Sequence, residues 1–161
     1  MGTVLSGENR PYRREPSPVV FSGGKMRVRI EMKSRQTVDG DTDIFDTVSD
    51  GILREVGDGT QILTYFQDGV HNEMRVDTAG KEVTVVRNWK HDNAFRYKEN
   101  TKHVMNYETP MGYMELGFDT KRVEIDRVHA ELVMNIFLSY SITQYGNPVS
   151  ENEIEIRIAK A

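Results

Sequence analysis

Four histidines, His71, His91, His103 and His129, are the side chains of this sequence best able to move a proton or hold a metal near neutral pH. Successive ones stand at least twelve residues apart. None shows the i, i+2 spacing, with a carboxylate partner, that would set two ligands on one strand face. The spacing predicts no zinc or non-haem iron site. His91-Asp92 falls in an expected turn facing water. His103 is expected inside, beside Met105 and Tyr107, where a lone histidine is ordinarily a hydrogen-bonded core residue. Asp39, Asp41, Asp43 and Asp46 are spaced like the start of a calcium loop. Glycine at 40 and the lack of a closing glutamate break that pattern, which leaves a charged hairpin end. There is no glycine-rich phosphate loop and no serine elbow. With no cysteine at all, disulfides, thiolate metal sites and cysteine nucleophiles are excluded. The sequence predicts neither an enzyme nor a cofactor.

The elements that position these residues are strands. Met26, Val28, Ile30 and Met32 alternate with Arg27, Arg29, Glu31 and Lys33, and strand side chains point alternately to opposite faces. Such runs recur, separated by turn signals that include Asp39-Gly40, Asp58-Gly59, Asp68-Gly69, Ala79-Gly80-Lys81 and Tyr145-Gly146-Asn147-Pro148. Strands are expected at 26–38, 42–56, 61–66, 72–78, 82–89, 95–98, 102–108, 113–119, 122–128, 132–142 and 153–158. A bulge or bend is expected at Asp50-Gly51. A sheet of this size protects its edges by closing or by folding into a sandwich. The fold class is all-β, a closed antiparallel barrel of about 8–10 strands.

The chain's 161 residues make one domain that buries roughly 70% of its extended-chain surface. Residues 1–25 carry Pro11, Pro16, Pro18 and Gly23-Gly24 and a net charge of +2, and read as a disordered basic tail. Val19-Val20-Phe21 is too short for the core of a secretory signal. The barrel domain then covers 26–161. The net charge of −4 argues against nonspecific nucleic-acid binding. Arg27, Arg29, Lys33 and Arg35 read instead as the outer face of a protected strand. The longest apolar stretch, Leu132 to Leu138, is interrupted by Asn135 and is too short to span a membrane. A soluble, cytoplasmic protein is expected.

Parity gives the interior. It places Val83, Val85, Arg87 and Trp89 inside from one strand, and Phe95 and Tyr97 from the next. His103, Met105 and Tyr107 follow, then Met114, Leu116 and Phe118. Met26, Val28, Ile30 and Met32 of the first strand, Leu132, Met134, Ile136, Leu138 and Tyr140, and the isoleucines 154, 156 and 158 complete the set. Arg87 is the one charge so placed. It is expected to cap a barrel end over an aromatic face, to receive an anion, or, if its strand stops there, to reach solvent at the rim.

Tyr107-Glu108-Thr109-Pro110-Met111-Gly112, followed by Met114-Glu115-Leu116-Gly117-Phe118-Asp119-Thr120, resembles the YwiB-like family, small cytoplasmic proteins of low-GC Gram-positive bacteria classed as a domain of unknown function. Val28-Arg29-Ile30 through Gln36-Thr37-Val38-Asp39-Gly40-Asp41, and on to Leu63-Thr64-Tyr65, is similar to that family's opening strands. The likeness spans about residues 26 to 158. It implies a calycin-like barrel, related in outline to lipocalins and fatty-acid-binding proteins that carry apolar ligands inside, and it implies no known substrate. Met111 stands where the family tends to have an aromatic residue. Residues 1–25 have no counterpart, and the Gly-x-Trp signature of lipocalins is missing.

Two functions follow. In the first, the barrel holds a small apolar or amphipathic ligand among Met32, Arg87, Trp89, His103, Met105, Tyr107, Met114 and Met134, methionine giving adaptable contacts. In the second, the core is solid and the protein is an interaction or structural module acting through its outer face. A carrier requires a cavity of roughly 300 Å³ or more. A filled interior is the commoner outcome for small barrels, and the family likeness favours the pocket.

Overall fold

Repeated alternation sends every second side chain to one face, so the chain folds as a single antiparallel sheet around its apolar face. The computed structural model describes residues 24–57, 59–127 and 132–161. It contains ten strands: β1 (Lys25–Val38), β2 (Asp41–Glu55), β3 (Gln61–Gln67), β4 (Val70–Asp77), β5 (Glu82–Arg87), β6 (Phe95–Lys98), β7 (Thr101–Thr109), β8 (Gly112–Arg127), β9 (Leu132–Gln144) and β10 (Asn147–Lys160). A 3₁₀ turn at His91–Asn93 is the only helical element among the described residues. The strands pair in the order β6-β5-β4-β3-β2-β1-β10-β9-β8-β7. The chain is thus an up-and-down meander whose first and last strands pair over Val28–Thr37 and Glu151–Lys160. The sheet curls until β6 lies against β7 and β8, so the barrel is nearly closed and lacks a ladder at the β6–β7 seam.

Most of the expected strands are present, with informative exceptions. The expected runs 113–119 and, as far as residue 127, 122–128 are one strand, β8, because a bulge between Thr120 and Arg122 absorbs the extra residue without ending the ladder; residue 128 lies outside the described residues. β10 begins at Asn147, six residues earlier than expected. Tyr145 (φ 50°) and Gly146 (φ 81°) complete a two-residue turn by themselves. Pro148 lies beyond the last pairing with β1, on an edge where its missing N–H costs no ladder bond. Asp50-Gly51 forms no bulge. The β1–β2 register runs through it unbroken, Arg29 opposite Asp50 and Val28 opposite Gly51. Of the expected tail, residues 1–23 lie outside the described residues, while Lys25 already belongs to β1.

The core follows parity. Val28, Ile30, Leu53, Leu63, Val83, Met134, Ile136, Leu138, Ile156 and Ile158 are all buried to 1% exposure or less. β5 departs from it at its end. It stops at Arg87, and Asn88 (φ 53°) and Trp89 (φ 63°) turn the chain out of the strand.

Candidate functional site

Of the residues expected to line an interior pocket, Met134 is fully buried and Met105 is buried. Met32, His103, Tyr107 and Met114 are half-buried. Trp89 is a correction, 62% exposed because the strand that should have carried it inward ends at Arg87; Arg87 is exposed at that strand end, the rim position expected of it if its strand stops there. Met32 sits on β1 between Thr47 and Ile156, on the far side of the sheet order from Tyr107. None of the described cavities is lined by all eight.

Rings pack together where β6 faces β7, β8 and β9. Phe118 meets Phe95 and Tyr97 edge-on with centroids 5.7 Å away in each case. Tyr97 lies 4.7 Å from Tyr140, and Tyr107 lies 6.0 Å from Phe95. Such tilted and edge-to-face pairs are the favoured packing of aromatic quadrupoles. They join β6 to β7, β8 and β9 across the interior, where no backbone ladder does. Burial raises the phenol pKa of Tyr65 to about 12, against the opposing charge of Arg87. Burial, with the nearby Tyr140 phenol, holds the phenol of Tyr97 well above its usual value. The interior phenols therefore stay neutral.

Side chains also stitch the seam. His103 Nε2 lies 3.2 Å from the carbonyl oxygen of Ala94, so this histidine is the hydrogen-bonded structural residue its sequence setting suggests. Lys90 Nζ donates to Glu108 Oε1 at 2.9 Å. Beside the β8 bulge, the Val123 N–H donates to Glu99 Oε2 at 3.2 Å, and Lys81 Nζ lies 3.1 Å from Glu99 Oε1. These two contacts hold the Glu99 carboxyl below its ordinary pKa. Arg87 and Tyr107 do come together, lining a pocket of about 200 Å³ with Phe95, Lys90 and Glu108 at one end of the seam.

A larger concavity lies on the outside. A groove of about 480 Å³ is lined by Arg27, Asp50, Ile52, Thr64, Phe66 and His71. Cross-strand register builds it: Arg27 stands opposite Ile52, Ile52 opposite Thr64, and Phe66 opposite His71. Phe66 is 66% exposed and meets the His71 ring edge-on, with centroids 5.5 Å apart. The other face of His71 is covered by Trp89, whose ring lies parallel to within 7° at 3.8 Å. The groove thus has an apolar and aromatic floor with one cation and one carboxylate at its border. Attention to inward positions missed it. The available signal was apolar residues at outward positions, Ile52 and Phe66, where alternation calls for polar ones.

Among the described residues no three His, Asp or Glu side chains gather as metal ligands. Asp39, Asp41, Asp43 and Asp46 are exposed around the β1–β2 turn, and His129 lies outside the described residues. No described helix is long and apolar enough to cross a membrane.

Comparison with known proteins gives a fold and no activity. A family model described as Domain of unknown function (DUF1934) matches residues 30–156. No curated protein matches the chain. The crystal structure of the ywiB protein from Bacillus subtilis superposes with a TM-score of 0.71 over 85% of this chain and 93% of that one, at 20% sequence identity. At that identity the likeness is one of fold.

Proposed function

Because the chain belongs to the family described as a domain of unknown function (DUF1934), which brings no reaction with it, we propose that it is a non-catalytic binding module with a solid core that takes an extended peptide segment in the groove on the outside of the barrel. One observation carries this reading: aromatic rings pack against one another on the inner side of β6, β8 and β9, while a concavity of about 480 Å³ opens on the exterior. That volume falls in the range of ligand sites, roughly 300–1,000 Å³. Ile52 and Phe66 suit apolar side chains of the bound segment. Arg27 and Asp50, at the border, suit its charged ones. The net charge of −4 supports a partner other than nucleic acid, and the absence of cysteine supports a cytoplasmic setting.

A second reading places a small apolar ligand inside the barrel, entering between Arg87 and Tyr107. The pocket there favours it by position but, at about 200 Å³, falls short in size. Two variants separate the readings, with 1-anilinonaphthalene-8-sulfonate as the apolar probe. Phe66→Ser is expected to weaken probe binding while leaving the thermal midpoint in place. Met134→Trp is expected to overpack the core by about 1–3 kcal/mol and to leave probe binding intact. Probe binding lost in Met134→Trp and kept in Phe66→Ser overturns the exterior reading.

A further inference from the structure

The β1–β2 hairpin outruns its neighbour β3. β1 pairs with β2 without a register shift from Lys25 opposite Arg54 to Val38 opposite Asp41, whereas β3 pairs with β2 only from Gly51 to Glu55. Beyond Gly51 the approach of β3 ends with Gln67 Nε2 donating to Thr47 Oγ1 at 3.4 Å. Among the described residues no strand pairs with the outer edge of Asp41–Asp46, and all six residues there are exposed. The turn decides which backbone groups stay open. Asp39 (φ 50°) and Gly40 (φ 85°) form a two-residue turn, which makes Val38 and Asp41 its closing hydrogen-bonded pair. Bonded and non-bonded pairs alternate along an antiparallel ladder, so the N–H and C=O of Thr42, Ile44 and Asp46 point away from β1. Natural sheets blunt such an edge with lysine, proline or a bulge. Residues 41–50 carry none of the three.

Side chains select the strand that fits. On one face of β2 stand Ile44 and Val48, 52% and 58% exposed. Asp46, on that face, has Lys33 opposite it. On the other face stand Asp41 and Asp43, whose cross-strand neighbours Val38 and Gln36 carry no charge. A second copy of β2 would bring its own aspartates to this edge with no lysine or arginine between residues 41 and 50 to balance them. A basic strand meets the opposite condition.

We propose that the free edge of β2 at Asp41–Asp46 accepts, as an added strand, an extended segment of a partner protein in which basic and apolar residues alternate. The main chain of that segment pairs with Thr42, Ile44 and Asp46, its basic side chains meet Asp41 and Asp43, and its apolar ones cover Ile44 and Val48. None of Asp41–Asp46 lines the exterior groove, so the proposal stands apart from the groove reading.

The test follows a labelled, end-capped peptide of four Lys-Val repeats by fluorescence anisotropy with the full-length protein at low ionic strength. Asp41→Lys combined with Asp43→Lys is expected to weaken binding at least about tenfold. The same peptide N-methylated throughout keeps its charge but has no N–H to pair, and is also expected to bind at least about tenfold more weakly. Equal binding of the plain and N-methylated peptides overturns the proposal, since charge alone then holds the segment. Saturating peptide is expected to leave 1-anilinonaphthalene-8-sulfonate in place. Displacement of that probe, with peptide binding unchanged in D41K/D43K, puts the peptide in the groove and overturns the edge while sparing the groove reading. A dimer of the peptide-free protein that Ile44→Pro dissociates assigns the edge to a second copy and likewise overturns the proposal.

Discussion

The imidazole of His71 and the indole of Trp89 lie parallel within 7°, with centroids 3.8 Å apart, on the outside of the barrel. Trp89 reaches that position through a left-handed backbone, φ 63°, a conformation that costs a residue with a β-carbon of the order of 1 kcal/mol. The stack offsets that cost. It also fixes the turn that ends β5 and holds an aromatic surface beside Phe66.

Removing one ring should therefore release the other. His71→Ala is expected to lower stability by about 0.5–1.5 kcal/mol, a drop of roughly 1–6 °C in a domain of this size. Trp89 is the only tryptophan, so its emission reports on the site, and a shift to longer wavelength is expected. An unchanged spectrum means that the stack does not hold the indole.

Alkaline unfolding should follow the buried phenols. Tyr65 titrates at about 12 in the folded chain against an ordinary 10.0, and Tyr97 and Tyr140 are also raised, chiefly by burial. The folded state thus holds protons that the unfolded chain releases above pH 10. Their contribution is complete below pH 10 and is lost as pH rises through 10 toward 12. Urea midpoints are expected to stay flat from pH 8 to about 9.5 and then to fall, and Tyr65→Phe is expected to make the fall shallower.

Gly51 is needed for space. A Cβ there would lie 2.7 Å from Ile30 Cδ1 and 2.8 Å from the backbone oxygen of Thr64. The isoleucine can move, but the carbonyl is held in the sheet. Gly51→Ala is expected to cost about 1–3 kcal/mol in a urea melt, whereas Gly57→Ala, with open space around it, is expected to fall within about 0.5 kcal/mol of the parent.

Alternation carried most of the architecture. Met134, Ile136 and Leu138 are inside, as parity requires, and the turn after Thr109 is formed by Pro110 and Met111, with Thr109 opposite Gly112. Strand ends were less legible. Nothing in Val85-Val86-Arg87-Asn88-Trp89 marks where the alternation stops, and the exit is set by backbone turns at Asn88 and Trp89 that residue type does not announce. Trp89 was misplaced inside for that reason, while Arg87 took the rim alternative. The exterior groove was hidden for another. Its lining comes from four strands, and Phe66 and His71 become neighbours only through the β3–β4 register. Gly51 could be read as a turn-former or as a space-giver, and only the approach of Ile30 decides between them.

The proposed binding outside the barrel can be separated from binding within it by methyl-resolved NMR during titration with 1-anilinonaphthalene-8-sulfonate, since isoleucine and methionine methyls sample both places. Ile52 borders the groove, whereas Met134 and Ile136 are fully buried in the core. Saturable shifts at Ile52, with Met134 and Ile136 unmoved, are the predicted result. Shifts that appear first at Met134 and Ile136, with Ile52 unmoved, would place the ligand inside the barrel and contradict the account.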